Sequence, residues 1–322
     1  MKVLVTGASG MLGGAVAALL VEAGYSVRTL QRRPSGISGV TDHAGSLTDR
    51  MALGSAVATM DAVIHLAAKV SFTGSRAEFD AVNVDGTRNL LEAARRAGVR
   101  DIVYVSSPSV AHAGRPMIGS GATTADPGTA RGEYARSKAS AELLALGMSS
   151  SAFRVAAVRP HVVWGPGDTQ LVERVIARAR VHRLPVIAGG TALIDSTYVD
   201  NAASAIVACL RRIDVVQGSA VVVTNGEPRP VGELVAGICR AGGVAPPRWG
   251  ISGALARTAG SLVERIWTAT GAVDEPPMTR FLAEQLSTAH WFDQRETRAL
   301  LDWEPAVSID QGLQRLTEYY RP

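Results

Sequence analysis

A doubly wound parallel α/β sheet is the fold class that this chain predicts, and three observations carry the prediction. A short apolar strand, Lys2 to Thr6, runs directly into the glycine-spaced turn Gly7-Ala8-Ser9-Gly10-Met11-Leu12-Gly13 and then an alanine-rich helix. A second apolar run, Tyr25 to Leu30, follows at the distance that a βαβ unit requires. Short β-branched runs then alternate with longer alanine-rich segments through the first half of the chain.

Taken in order, the runs predict strands near 2–6, 26–31, 41–44, 61–66, 102–106 and 155–160, and a further strand near 220–224 that returns to the sheet. Helices are expected near 12–23, 48–58, 83–97 and 132–147, the third stopping at Gly98 as a helix C-terminus should. The stretch from Ala111 to Gly132, rich in Gly, Ser, Thr, Ala and Pro, reads as a long loop. After Pro160 the pattern becomes irregular. A dinucleotide-binding domain over residues 1–165 with returning segments near 195–225, and a smaller, discontinuous C-terminal substrate lobe over 166–194 and 226–322, follow from that change. Ile251, Leu255, Leu262 and Ile266 lie at helical spacing and suggest a lid over the substrate pocket, with a membrane-surface helix as the alternative.

With 322 residues, 47% of them apolar, the chain can bury a sizeable core. A formal charge of +4 without basic runs interleaved with aromatics gives no sign of nucleic-acid binding. Cys209 and Cys239 lack disulfide or metal-ligand spacing, so neither a disulfide nor a metal site is expected. No leader pattern and no bilayer-spanning apolar stretch is evident, so a cytoplasmic protein is expected, any membrane contact being peripheral.

The glycine turn has a chemical use. Gly7 permits the tight turn, Gly10 lets the backbone approach phosphates, and Gly13 lets helix and strand pack closely while free N–H groups face an anion. Tyr134 and Lys138 stand one helical turn apart on one face, where an ammonium would lower the phenol pKa and make Tyr134 a proton shuttle. Ser106 and Ser107 end a central strand, where open α/β sheets bind ligands. His65-Leu66-Ala67-Ala68 ends the preceding strand with small residues, and Arg159-Pro160-His161 ends the strand after the Tyr/Lys helix, beside the expected nicotinamide. The second strand ends in Gln31-Arg32-Arg33 rather than a carboxylate, which favours a 2′-phosphate and hence NADP(H) over NAD(H).

Together, Thr6-Gly7-x-x-Gly10-x-x-Gly13, His65-Leu66-Ala67-Ala68, Asn83-Val84-x-Gly86-Thr87, Ser106-Ser107, Tyr134-x-x-Ser137-Lys138, Arg159-Pro160, Gly165-Pro166-Gly167-Asp168 and Tyr198-Val199-Asp200-Asn201 resemble the extended short-chain dehydrogenase/reductase family. The resemblance covers essentially the whole chain and implies a Rossmann-type fold. Ser106-Ser107-x-x-Val110-Ala111, Pro276-Pro277-x-Thr279-Arg280-Phe281 and Ser287 to Asp293 resemble most the 3β-hydroxysteroid dehydrogenase branch, which includes bacterial sterol dehydrogenases and 2-alkyl-3-oxoalkanoate reductases. It implies a catalytic Ser107, Tyr134 and Lys138, with Ser107 chosen over Ser106 by its distance from Val110-Ala111. It implies cofactor contacts at Gly7, Ser9, Gly10, Met11, Leu12, Gly13, Arg32, Arg33, Leu66, Ala67, Ala68, Tyr134, Lys138, Pro160, Val162 and Val163. Departures are Pro108 after the serine, His112 where a Gly is usual, and Ser46 where relatives often carry an Asp near the adenine.

The expected activity is interconversion of a ketone and a secondary alcohol on a hydrophobic substrate, a long-chain β-keto acid or a 3-ketosteroid. Trp164, Trp249, Trp267 and many aliphatics, with no Arg/Lys pair suited to a diphosphate, support that choice. Alternatives are a nucleotide-sugar epimerase or dehydratase with tightly bound NAD, and a non-catalytic NADP(H)-binding regulator. A homodimer is compatible with each.

Overall fold

The computed structural model describes residues 1–71, 74–270 and 279–321. Seven parallel strands form the main sheet in the order Ala220–Val223, Arg154–Pro160, Asp101–Val105, Ala62–His65, Lys2–Thr6, Ser26–Gln31, Val40–Ala44. The seven expected strands are all present, and the helices Met11–Glu22, Arg50–Val57, Gly86–Arg96 and Gly132–Gly147 fall where the periodicity puts them.

Alternation along each strand divides the core between two faces. Val3 and Val5 pack with Val16 and Leu20 of the first helix and with Ile206 and Leu210 of Val199–Arg211. Leu4 points the other way, into a cluster with Leu53, Leu90, Leu91, Tyr104 and Ala145. The strands that follow Lys2–Thr6 lie on one side of it and those from Ala62–His65 onward on the other, so the connections leaving the carboxyl ends of these two paired strands run in opposite directions and open the crevice where such sheets bind ligands.

Two expectations change. The Ala111–Gly132 stretch contains a strand, Met117–Ser120, paired in parallel with His290–Phe292 in a second, four-stranded sheet that also holds Leu193–Ile194 and Arg229–Pro230. Four residues with a single apolar alternation carry too little periodicity to reveal it. The apolar stripe of the helix Gly253–Thr270 also faces outward: Leu255 and Leu262 are exposed, while Ala256 and Gly260 make the buried contact. A Cβ on Gly260 would come within 2.6 Å of the Arg280 nitrogen, so small residues, not large ones, seat this helix on Arg280–Ser287. Residues 276–278 of the branch-specific tail lie outside the described residues. Among the described residues no helix is long and apolar enough to cross a membrane.

Candidate active site

Gly7 takes φ +80° and donates its N–H to the Leu30 carbonyl. A Cβ there would sit 2.9 Å from the Ala67 nitrogen, and one on Gly13 would sit 2.2 Å from the Gly7 carbonyl oxygen. The turn is thus closed against both its own helix and the Leu66-Ala67 segment, and only glycine fits at these two positions. The helix starts at Met11 with no side chain capping it, leaving backbone N–H groups for an anion. This cradle fits a dinucleotide diphosphate.

A buried hydrogen-bond chain fixes the cradle's other wall. The Thr87 hydroxyl donates to the Asn83 carbonyl (2.6 Å), so it accepts from His65 Nε2 (3.0 Å), and His65 Nδ1 accepts from the Thr6 hydroxyl (2.7 Å). Thr6 in turn accepts from the Ala67 N–H, which locks the segment that faces Gly7. Asn83 lies in a π-helical turn, Asp80–Asp85, where its side chain holds both backbone groups of Lys69 and donates to Ser137 Oγ (3.0 Å). Ser137 donates to the Tyr134 carbonyl, tying the cradle wall to the helix that carries Tyr134 and Lys138.

Ser107 and Tyr134 both border a cavity of about 390 Å³, with Val162, Val163, Val175, Leu184, Leu234, Leu282 and Leu286 among its walls. Ser106 is not among them; its hydroxyl is buried without a partner. Ser107 caps the short turn Pro108–Ala111, and its Oγ accepts from the Ser109 N–H and hydroxyl, which leaves its own proton for a substrate oxygen. Lys138 is buried and donates to the Val105 carbonyl at 2.7 Å, with its Nζ 4.2 Å from the centre of the Tyr104 ring.

The electrostatics differ from the sequence expectation. Burial raises the Tyr134 phenol to about 12, and no opposing pull from Lys138 offsets it, because that ammonium turns to Val105 and is itself lowered by burial to about 7. Glu142, one turn further along, pulls Lys138 back up. Tyr134 therefore stays protonated at neutral pH, which suits a proton donor. Arg159 also departs from expectation. It turns into the core and pairs with Glu142, Nε to Oε2 at 2.9 Å, and donates Nη1 to the Thr123 carbonyl at 2.6 Å. Val162, with φ +43°, and Val163 border the cavity, whereas Pro160 is buried at the end of its strand and is not among the cavity's walls.

Arg32 and Arg33 are exposed at the end of their strand, and Ser9, Met11, Leu12 and Ala68 remain at least partly exposed near the crevice. Asp42, on the neighbouring strand, accepts from Thr29, Gln31 and Ser35, which hold its carboxyl below the usual range. No sequence spacing singles out Asp42; only the Thr29 and Asp42 register brings it beside Gln31. Ser46 bonds only within its own turn, to Thr48, and the Asn83 contacts are a positioning role that its motif alone did not reveal. Arg174 and Arg178, one turn apart on Val172–Arg180, border the cavity, a basic pair that the sequence reading does not single out.

Three buried imidazoles make the fold acid-sensitive. Burial lowers His65 to about 3, His161 to about 4 and His290 to about 3, against 6.5 when unfolded. Between those values the unfolded chain binds more protons, so stability falls as pH drops from 6.5 toward 4. Asp195, raised by burial to about 6, acts oppositely over 3.8 to 6 and offsets one of the three. The thermal midpoint is expected to fall steadily over this range. A flat midpoint from pH 7 to 4.5 would contradict it.

The crevice, the glycine cradle and the Ser/Tyr/Lys grouping define a dinucleotide-binding oxidoreductase of the short-chain dehydrogenase type. Residues 3–224 match the NAD dependent epimerase/dehydratase family, and the chain belongs to it. It is 40% identical to a 2-alkyl-3-oxoalkanoate reductase of Stenotrophomonas maltophilia over 98% of each chain. It is 28% identical to a 3-beta-hydroxysteroid dehydrogenase of Mycolicibacterium neoaurum, covering 99% of this chain and 91% of that one. Among solved structures, MoeE5 in complex with UDP-glucose and NAD superposes with a TM-score of 0.76 at 25% identity, covering 99% and 98% of the two chains. The protein is an NAD(P)-dependent oxidoreductase acting on CH–OH groups of a small molecule.

Proposed function

We propose that the protein is an NADP(H)-dependent reductase of long-chain 2-alkyl-3-oxoalkanoates. The apolar cavity bordered by Ser107 and Tyr134 carries this reading, and the 40% identity to a reductase of that name supports it. A 3-ketosteroid would fit the same apolar walls. In this reading residues 1–165 with 195–225 bind the cofactor, and 166–194 with 226–322 bind most of the substrate. Cys209 and Cys239, buried free thiols, suit the reducing cytoplasm.

The cradle from Gly7 to Gly13 would hold the diphosphate, Leu66 to Ala68 would flank the adenosine side, and Pro160, Val162 and Val163 would flank the nicotinamide. When bound, that cofactor supplies the hydride. Ser107 donates its free proton to the substrate carbonyl oxygen and fixes its position. Tyr134 gives its phenolic proton to that oxygen as negative charge develops; an alkoxide is a far stronger base than phenolate, so even a phenol near 12 delivers it. Lys138, charged at and below about pH 7, would hold the ribose.

Arg32 and Arg33 would bind the 2′-phosphate, since Asp42 is already engaged by its own donors. The double variant Arg32→Ala/Arg33→Ala is expected to lose at least about tenfold in the NADPH to NADH ratio of kcat/KM. An unchanged ratio in initial-rate assays would end the NADP(H) assignment.

Following NADPH oxidation with 2-alkyl-3-oxo acids, 3-ketosteroids and UDP-sugars tests the reading; preferred turnover of the acids is expected. Arg174 and Arg178 favour one competitor, a nucleotide-sugar epimerase or dehydratase. Copurifying NAD with no net NADPH consumption would support that competitor.

A further inference from the structure

Three histidines that proton and hydride transfer do not use border the same cavity. His112 follows the turn that Ser107 caps, His161 follows the strand Arg154–Pro160, and His290 opens His290–Phe292. The His112 and His290 rings meet edge-on with centroids 4.8 Å apart, and His161 lies 6.0 Å from His290. Their exposures are 1%, 6% and 1% for His112, His161 and His290.

Their hydrogen bonding is incomplete. His161 Nδ1 donates to the Asp195 carbonyl at 2.7 Å, and His290 Nε2 reaches Thr288 Oγ1 only at 3.4 Å. His290 Nδ1 and both nitrogens of His112 have no partner. A buried polar atom left unpaired costs about 1–3 kcal/mol, so three such atoms beside one cavity point to a partner brought by whatever fills it. Among the described residues no cluster of His, Cys, Asp and Glu is arranged to hold a metal ion. A neutral imidazole offers one N–H, and a carboxylate offers two oxygens with several lone pairs.

Position identifies which carboxylate. In a 3-oxo acid the carboxyl group lies two bonds from the carbonyl carbon, so its site must adjoin Ser107 and Tyr134. His112 does so: it borders the same cavity, and its backbone N–H donates to the carbonyl of Ser109, the residue whose own N–H Ser107 accepts. We propose that His112, His161 and His290 form a carboxylate subsite that selects 3-oxo acids over neutral ketones of the same length. This rests on the reductase reading above.

The surrounding charges leave room for that anion. Burial lowers His112, Glu284 pulls it up and Arg131 pulls it down; Glu284 is itself paired with Arg280 at 2.9 Å. Asp195 meets His161 through its carbonyl, while its carboxylate accepts from Thr224, Gly226 and Glu227. His290 feels the other two rings. Arg174 and Arg178, on Val172–Arg180, are the other cations that border the cavity among the described residues. An arriving carboxylate favours imidazolium, so binding takes up protons and weakens as pH rises.

The test is calorimetric titration of the protein with saturating NADP⁺, using decanoate and 1-decanol as probes in buffers of different ionisation heat. Wild type is expected to hold decanoate at least about tenfold tighter at pH 6, with proton uptake and a margin that narrows by pH 8. His112→Phe and His290→Phe should each cut the margin below about threefold, while His112→Asn, which keeps a donor, should retain part of it. Equal affinities in wild type would overturn the proposal, as would a margin that survives both Phe variants but falls in Arg174→Gln/Arg178→Gln. If a Phe variant does not fold, the wild-type margin and its proton uptake decide. Carboxylate selectivity without turnover of a 2-alkyl-3-oxo acid would sink the reductase reading and keep the subsite; turnover without selectivity would do the reverse.

Discussion

Replacing Tyr134 by phenylalanine will lower kcat about 10²- to 10⁴-fold, the range for losing a positioned proton donor, while leaving NADPH affinity within about twofold. Only the hydroxyl is removed, so the ring keeps its place beside the cavity. Ser107 still holds a free proton and can still position the carbonyl, which sets a residual rate above zero. Initial rates of NADPH oxidation, paired with a fluorescence titration of NADPH, measure both quantities. Retained kcat, or a loss confined to KM, would remove Tyr134 from the chemistry.

The second large effect is on stability. Glu142→Ala is expected to cost about 3–5 kcal/mol, because Arg159 would be left as a buried charge with one carbonyl partner. Both residues are 1% exposed, and the guanidinium joins the Gly132–Gly147 helix, the strand Arg154–Pro160 and the Thr123 segment. Glu142→Leu/Arg159→Met should recover most of the loss, since neither charge then remains buried. Urea unfolding separates the cases, and an unchanged midpoint for Glu142→Ala would refute the account. Glu142 also helps Lys138 keep its proton, so the alkaline limb of activity should move to lower pH in Glu142→Gln.

What could be read from the residues follows the range over which each signal acts. The seven strands and the glycine cradle were legible because alternation and glycine spacing are local, and Gly13 meets Gly7 within a single turn. The Met117–Ser120 strand was not, since its partner lies near the other end of the chain and its four residues carry no clear period. Charge partners behaved similarly. Lys138 was expected to act on Tyr134, four residues away, but the Val105 carbonyl from another strand captures its ammonium. Glu142 lies one turn beyond Lys138 on the same face, so this partner is legible from helical spacing alone. The outward stripe of Gly253–Thr270 misled because apolar spacing gives a face, not its direction. Ala256 and Gly260 decide the direction by how closely they let the next helix approach.

The chain from Ala67 through Thr6, His65 and Thr87 to Asn83 has an electrical consequence. Every hydrogen in it points one way, so His65 can exist in one tautomer only, and taking up a second proton would force the Thr6 hydroxyl to turn its own proton away from Nδ1. With its imidazole held neutral down to about pH 3, the wall beside Gly7 carries no titrating charge in the physiological range. The field that meets a diphosphate there comes from fixed backbone dipoles, which makes this end of the crevice a pH-silent anchor beside chemistry that depends on protons.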